Sequence, residues 1–188
     1  MHLVAGPNGA GKTTFYNKVI APIPLEFINA DVIAAQRWPG DEVAHAYEAS
    51  AAAAELRAQR FEDRRSFATE TVFSHPSKLD LVATATRLGY SVTLHVIVIP
   101  EELAVLRVRT RVEVGGHDVP ETKIRERHRR LWAHVRDAIG LVAVANVYDN
   151  SSASKPFRLI AGYEYGQSVM LADWPKWAPI ELSAYPGT

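Results

Sequence analysis

The chain has 188 residues, of which 47% are hydrophobic and 22% are charged, a composition typical of one globular domain. Its 21 basic and 21 acidic residues balance, which argues against broad binding to nucleic acid or to an anionic membrane surface. It contains no cysteine, so disulfides, thiolate metal ligands and cysteine nucleophiles are excluded. No segment resembles a signal peptide or a membrane span, and we therefore expect a cytoplasmic protein.

Short apolar runs alternate with helical stretches along the chain. Clusters of β-branched, aromatic and aliphatic residues predict strands at 3–5, 25–31, 66–73, 91–99 and 145–150. Helix propensity and end signals predict helices at 12–21, 41–64, 77–88, 101–114 and 121–139. Strands separated by helices pair in parallel through right-handed crossovers, with helices on both faces of the sheet.

The stretch GPNGAGKT, residues 6–13, satisfies the phosphate-loop pattern G-x-x-x-x-G-K-[ST] between a predicted strand and a predicted helix. Its glycines let backbone N–H groups turn inward around phosphate oxygens. Lys12 is expected to reach the β- and γ-phosphates, and the Thr13 hydroxyl to ligate Mg²⁺. A chance glycine-rich turn would not require this context. The predicted ATP-binding residues are Gly6, Pro7, Asn8, Gly9, Ala10, Gly11, Lys12, Thr13 and Thr14.

Asp31, in the stretch FINAD, falls where the second strand ends. In such a sheet, ligands bind at the carboxyl ends of the strands, so this carboxylate could accept the proton of an attacking hydroxyl. It could equally cap the helix that VIAAQ begins, since Asp is a favoured N-cap residue. Asn29 shows the same ambiguity.

Glu70 ends the third strand, FATETVF. An acid at this place could support Mg²⁺, directly or through water, or it could hydrogen-bond a substrate hydroxyl. A solvated strand end is the structural alternative. The neighbouring Thr71 is a candidate substrate contact, although strand propensity also explains a threonine there.

Arginines concentrate at residues 107–130, on two predicted helices around the break GGHDVP. Such a pair of basic helices hinged at glycines is typical of a lid that closes over phosphates. Ion pairs with acidic neighbours such as Glu113 and Glu126 on a solvated surface are the alternative.

These features together favour phosphoryl transfer to a small hydroxyl acceptor over the other classes of phosphate-loop protein. No guanine-recognition motif of the N-K-x-D type is present, and FATETVF is a poor version of the strand that carries the acid of motor ATPases. An ATPase or nucleotide switch without an acceptor, or a binding module without catalysis, remains the alternative.

The chain resembles the zeta-toxin-like phosphate-loop kinases. The resemblance rests on AGPNGAGKTT, FINAD, SFATET, the stretch RVxxRVxxGGHDVPExxIxxR and VYDNS, in that order, over roughly residues 3–165. It implies that Asp31 is the catalytic base and that Lys12, Arg111 and Arg127 act on the phosphates, with Arg107 and Arg125 as further lid candidates. It also implies that the acceptor contacts are Glu70, Thr71, Asn29 and His117.

The resemblance further implies ATP and Mg²⁺ as cofactors, UDP-N-acetylglucosamine or a related metabolite as the acceptor, and an antitoxin protein as a partner. The chain is shorter than the larger toxins of this family, and its lid and acceptor segments match theirs only in the motifs quoted. We therefore predict one phosphate-loop kinase domain over residues 1–188, an α/β three-layer sandwich with a mostly parallel five-stranded sheet. It carries a lid at about 107–130 and a C-terminal hairpin at about 157–173.

Overall fold

The computed structural model describes residues 1–113 and 119–185. The strands are β1 (His2–Ala5), β2 (Glu26–Ile28), β3 (Phe67–Thr71), β4 (Thr93–Val98), β5 (Val144–Asp149), β6 (Arg158–Glu164) and β7 (Gln167–Ser168). The helices are α1 (Lys12–Phe15), α2 (Ala30–Arg37), α3 (Ala46–Glu62), α4 (Ser77–Arg87), α5 (Glu101–Glu113), α6 (Glu121–Ile139) and α7 (Ile180–Ser183). A π-helical turn, Tyr16–Ile20, continues α1.

All of these strands form one sheet in the order β2-β3-β1-β4-β5-β6-β7. The first five are parallel, and β6 and β7 add antiparallel at one edge. Among the five parallel strands β1 is central, and its last residue, Ala5, pairs with Thr71 of β3 and with Val96 of β4. This register brings the loop after β1 beside the carboxyl ends of its two neighbours, which is where ligands bind in sheets of this kind.

Helices cover both faces of the sheet, as predicted. On one face, apolar side chains of α2, α3, α4 and α6 pack against residues of β1, β3, β4 and β5 such as Leu3, Phe67 and Val96. On the other face, Phe15 of α1 and Val105 of α5 pack against Val4 and Ile97. The two buried clusters lie on opposite sides of the strands and form a three-layer α/β sandwich.

The sheet has seven strands where five were predicted. The two further strands belong to the predicted C-terminal hairpin, which pairs through β6 with β5 and so extends the same sheet. No pattern in the sequence predicted the π turn after α1 or the short helix α7. The helix α3 begins at Ala46, later than the predicted start at residue 41. The predicted GGHDVP break, including His117, lies mostly outside the described residues.

Within the described residues, no helix has the length and apolar character needed to cross a membrane.

Candidate active site

The loop after β1 is shaped by two glycines in left-handed conformations. Gly9 has φ 74° and Gly11 has φ 87°, values that favour glycine because a side chain would be strained there. Within the loop, the backbone N–H of Ala10 donates to the carbonyl of Pro7 at 3.2 Å, and the Lys12 amine donates to the same carbonyl at 3.1 Å. The Lys12 side chain thus folds back over the loop.

Two neighbouring elements hold this loop in place. A Cβ on Gly9 would lie 2.9 Å from the backbone oxygen of Ala104 in α5. A Cβ on Gly11 would lie 2.8 Å from the side-chain amide of Asn150, which itself donates to the carbonyl of Ala10 at 2.8 Å. Asn150 follows β5 directly and is a loop-positioning residue.

Glu70 lies directly against the phosphate loop. Both of its carboxylate oxygens are 3.1 Å from the Thr13 hydroxyl, which donates to them, and the side-chain amide of Asn29 also hydrogen-bonds the carboxylate. Burial raises the pKa of the Glu70 carboxyl, and the positive charge of Lys12 opposes this rise. Glu70 therefore belongs to the phosphate side of the site.

The charged groups around Lys12 converge on its amine. Burial lowers the pKa of Lys12, the negative charges of Glu70 and Asp31 oppose that change, and the positive charges of Arg111 and Arg127 reinforce it. Two carboxylates and two guanidinium groups from α2, β3, α5 and α6 thus lie within electrostatic reach of one amine. An anionic ligand at this point would meet three cationic side chains.

Asn29, not Asp31, caps α2. Its side-chain oxygen accepts hydrogen bonds from the backbone N–H groups of Asp31 at 2.7 Å and Val32 at 3.4 Å. Asp31 lies in the first turn of the helix, is exposed, and lines the cavity beside the loop. The capping alternative for Asp31 is therefore wrong, and Asn29 is a positioning residue that holds both α2 and Glu70.

Thr71 ends β3 at a strained turn. Its hydroxyl accepts a hydrogen bond at 3.2 Å from the backbone N–H of Phe73, which is fully buried and has φ 65°. A bulky residue at positive φ persists only where the surrounding structure requires it. Thr71 thus lines the cavity and also fixes the turn that leads to α4.

A cavity of about 610 Å³ opens beside the phosphate loop. It brings together most of the predicted site residues, namely Asn8, Gly9, Gly11, Lys12, Thr13, Thr14, Asn29, Asp31, Glu70, Thr71, Arg111 and Arg127. Gly6, Pro7 and Ala10 are the buried residues of the loop and do not line the cavity. His117 lies outside the described residues.

The arginines of the predicted lid divide into two groups. Arg107 lines the cavity together with Arg111 and Arg127. Arg125 does not, because it forms ion pairs with Glu101 at 2.9 Å, with Glu121 at 2.8 Å and with Glu102. Arg125 thus lies apart from the other candidate lid arginines, and acids of α5 and α6 balance its charge.

One wall of the cavity comes from residues that the sequence analysis did not single out. Along α3, small side chains and one arginine face the cavity at helical spacing: Ala46, Ser50, Ala53 and Arg57. Lys78 lies at the start of α4 and also lines the cavity. The spacing in the alanine-rich stretch could have indicated this wall, because Arg57 follows Ala53 by one helical turn and so lies on the same face of the helix as the small residues.

A second, smaller recess of about 280 Å³ adjoins the other side of the loop. It shares Gly9, Gly11, Thr14 and Arg107 with the main cavity and is completed by Lys18, Asn150, Pro156 and Phe157. The backbone N–H of Phe157 donates to the side-chain oxygen of Asn150 at 3.3 Å. This recess offers an aromatic ring and a guanidinium group to a flat ring bound at the loop.

The fold and the phosphate loop define a P-loop nucleotide-binding protein with a kinase-like α/β sandwich. More specifically, the chain belongs to the AAA_33 family of AAA domains, whose model matches residues 1–134. No protein with a curated description matches the sequence significantly.

Several solved structures share the fold at low sequence identity. A chain of the AvrRxo1-ORF1:AvrRxo1-ORF2 complex with sulphate ions is 16% identical, with a TM-score of 0.69. The match covers 89% of this chain and 59% of that chain, so the protein spans little more than half the length of this neighbour. The same complex has also been solved with ATP, with a TM-score of 0.68.

Two further neighbours are bacterial. A chain of the PezAT chromosomal toxin-antitoxin system of Streptococcus pneumoniae is 18% identical, with a TM-score of 0.57 over 79% of this chain and 68% of that chain. A gluconokinase from Sinorhizobium meliloti 1021 is 15% identical, with a TM-score of 0.50 over 83% of each chain. Similarity at this level of identity establishes the fold.

Proposed function

We propose that this chain is an ATP-dependent kinase that transfers the γ-phosphoryl group to a hydroxyl of a small molecule. The observation that supports this most strongly is the position of Asp31. Its carboxylate lines the same cavity as Lys12, while the cap of α2 is supplied by Asn29. An exposed carboxylate of this kind beside a phosphate loop suits a general base that takes the proton of the attacking hydroxyl.

In this proposal the triphosphate lies in the loop of residues 6–14. Lys12 binds the β- and γ-phosphates, and Arg111 and Arg127 stabilise negative charge on the transferring group. The charges of both arginines lower the pKa of Lys12, which supports their action at one point. Positioning and electrostatic stabilisation account for most of the catalysis of phosphoryl transfer, so these side chains are expected to matter most in the transition state.

Mg²⁺ is the proposed metal. The Thr13 hydroxyl and the Glu70 carboxylate provide adjacent oxygen donors, the type of ligand that Mg²⁺ prefers, and Asn29 orients the carboxylate. Thr13 would bind the ion directly and Glu70 would hold it directly or through water. When bound, the ion supplies positive charge to the phosphate oxygens.

The nucleobase is assigned to the recess formed by Arg107, Asn150 and Phe157. This recess shares residues with the phosphate loop and lies on the β5 side of it. The acceptor is assigned to the larger cavity, which extends from Asp31 to α3 and α4. An ATPase that transfers phosphate to water would need no chamber of this size beyond the loop.

The first acceptor to test is UDP-N-acetylglucosamine, because the sequence resembles zeta-toxin-like kinases. Phosphorus NMR of the protein with Mg-ATP, with and without the sugar nucleotide, measures the product directly. We expect a new phosphomonoester signal that requires the acceptor. Asp31→Asn should reduce its rate of formation by about 10²- to 10⁴-fold with ATP affinity unchanged, and Asp80→Asn, on an exposed position of α4, serves as the control.

If ADP and free phosphate are the only products, whichever hydroxyl acceptor is supplied, the result would contradict the kinase proposal and favour the ATPase alternative. Unchanged transfer by Asp31→Asn would contradict the assignment of the base.

We further propose that the activity is toxic to the producing cell and is held in check by an antitoxin protein. Support comes from the resemblance to zeta toxins and from the fold shared with a chain of the PezAT toxin-antitoxin system. Induced expression of the wild-type chain should arrest bacterial growth, and expression of Asp31→Asn to the same level should not. Equal growth of the two cultures would contradict toxicity through phosphoryl transfer.

A further inference from the structure

The wall of the cavity opposite the lid carries two cationic side chains. Arg57 projects from α3 and Lys78 from the first turn of α4, and both side chains are half-buried. Burial lowers the pKa of each group, and the charge of Arg57 lowers the pKa of Lys78 further, so the two lie close enough to repel. Holding two like charges together away from water is costly unless an anion is bound between them.

Within residues 1–113 and 119–185, neither Arg57 nor Lys78 has an ion-pair partner. A nearby arginine on the same helix differs in this respect. Arg60, less than one turn further along α3, binds Glu26 and Asp63. The two carboxylates of the cavity, Asp31 and Glu70, face six cationic side chains in total. The cavity therefore holds more positive charge than its own acids balance.

The order of the strands separates this cationic wall from the lid arginines. The helices α3 and α4 flank β3, which lies on one side of β1, whereas α5 and α6 follow β4 on its other side. The phosphate loop follows β1 and lies between them. The recess assigned to the nucleobase contains neither Arg57 nor Lys78. An anion bound to these two side chains would thus belong to a second ligand.

We propose that Arg57 and Lys78 bind an anionic group, a phosphate or a carboxylate, carried by the phosphoryl acceptor. This inference rests on the proposed kinase function, because it assigns the chemistry of the acceptor at the same site. The acceptors of this protein are then negatively charged hydroxyl compounds. A sugar nucleotide satisfies this rule through its diphosphate, whereas a free sugar does not.

A binding measurement tests the site without relying on catalysis. The protein is first saturated with Mg²⁺ and a non-hydrolysable ATP analogue, so that the phosphate loop is filled. It is then titrated with inorganic phosphate or with acetate, and the NMR signals of the arginine side chains report the binding. We expect saturable binding of at least one of the two anions. The ratio of the affinities for phosphate and for acetate distinguishes a phosphate site from a carboxylate site.

Arg57→Gln and Lys78→Gln should each weaken this binding by about 10-fold, the typical loss of one charge-assisted hydrogen bond. Arg87→Gln removes an exposed cation from the last turn of α4 and should leave the affinity unchanged. The affinity of the protein for the ATP analogue should be the same in all three variants. The inference would be overturned if Arg57→Gln and Lys78→Gln left the anion affinity unchanged, or if Arg111→Gln weakened anion binding instead. It would also be overturned if the wild type showed no saturable binding.

A transfer assay separates this inference from the kinase proposal. If anions bind through Arg57 and no acceptor is ever phosphorylated, the kinase proposal fails and the anion site stands. If N-acetylglucosamine is phosphorylated with the same kcat/KM as UDP-N-acetylglucosamine, the kinase proposal stands and the charged-acceptor rule fails.

Discussion

The contacts of Glu70 distinguish between the two roles that an acid at the end of β3 can have. Its oxygens accept from the Thr13 hydroxyl, and the amide of Asn29 supports it. These partners favour a role at the metal, whereas the resemblance to zeta-toxin-like kinases implies a contact with the acceptor. The two roles differ in the ligand whose binding a mutation weakens.

For Glu70→Gln we expect the Mg²⁺ concentration at half-maximal rate to rise by about 10-fold, the equivalent of one charge-assisted interaction. KM for the acceptor should change much less. Asn29→Ser keeps an N-cap for α2 and removes the amide that supports Glu70, so it should shift the Mg²⁺ dependence in the same direction with little loss of stability. Steady-state rates at varied Mg²⁺ and varied acceptor measure both effects.

If Glu70→Gln instead raises KM for the acceptor and leaves the Mg²⁺ dependence unchanged, the metal role is wrong.

At the scale of single residues, the sequence predicted many of the side chains that line the cavity, but not how each is used. Asp31 and Asn29 are both good N-caps and only one residue separates them, so the exact start of α2 decides which of them caps. The burial of Glu70 and the desolvation of Lys12 arise from packing between elements, which a motif does not encode.

The helix α3 shapes the proposed acceptor side of the cavity through the size of its side chains. Ala46, Ser50 and Ala53 face the cavity from successive turns, and larger residues at these positions would occupy its volume. Because Ser50 is exposed, a substitution there changes the cavity without disturbing the core. The alanine-rich composition of the helix thus has a steric consequence beyond close packing.

Ser50→Leu is expected to raise KM for the acceptor by 10-fold or more, because its side chain fills space that the acceptor requires, a loss of roughly 1.4 kcal/mol in binding. Its affinity for ATP should be unchanged, since the phosphate loop lies across the cavity. Ala51→Leu is the matched control, because residue 51 is the exposed neighbour on the same helix and does not line the cavity. Equal effects of the two substitutions would show that α3 tolerates neither and would contradict the steric role of residue 50.

At the scale of elements, periodicity and end signals predicted most helices and strands within a few residues. The long apolar run at 91–99 predicted β4, and the stretches after Pro100 and Pro120 predicted α5 and α6. The assignment of arginines was harder, because the choice between Arg125 and Arg127 depends on where the acids of α5 lie. Glu101 and Glu102 neutralise Arg125, and this pairing follows from the packing of α5 on α6.

For the whole molecule, the parallel sheet followed from the alternation of strands and helices, but the order of its strands did not. The position of β1 between β3 and β4 brings Asp31, Glu70 and the lid arginines around one loop. Sequence spacing gives no measure of this order, since β3 lies more than 60 residues after β1. The cationic wall of α3 and α4 depends on it and could not be predicted.

Behind the phosphate loop, a buried histidine connects α1 to the sheet. His95 of β4 packs against Phe15 with ring centroids 5.2 Å apart and against Tyr148 at 6.1 Å. Its Nε2 lies 3.1 Å from Nδ1 of His2, so one of these two nitrogens carries the shared proton. Burial lowers the pKa of His95 to about 4, and the nearby charge of His2 contributes in the same direction.

The stability of the whole protein should therefore fall between pH 6.5 and pH 4. In this range an unfolded chain protonates His95 while the native protein keeps it neutral, so the unfolded state binds more protons and gains free energy as the pH falls. We expect His95 to cost roughly 2 kcal/mol of unfolding free energy between pH 7 and pH 4.5. His95→Gln cannot titrate and can still hydrogen-bond His2, so its stability should depend less on pH by that amount. Urea denaturation of both proteins at a series of pH values measures the difference, in which titrating groups remote from His95 cancel. Parallel pH profiles would contradict the lowered pKa, because they would mean that His95 is protonated as easily in the native protein as in the unfolded chain.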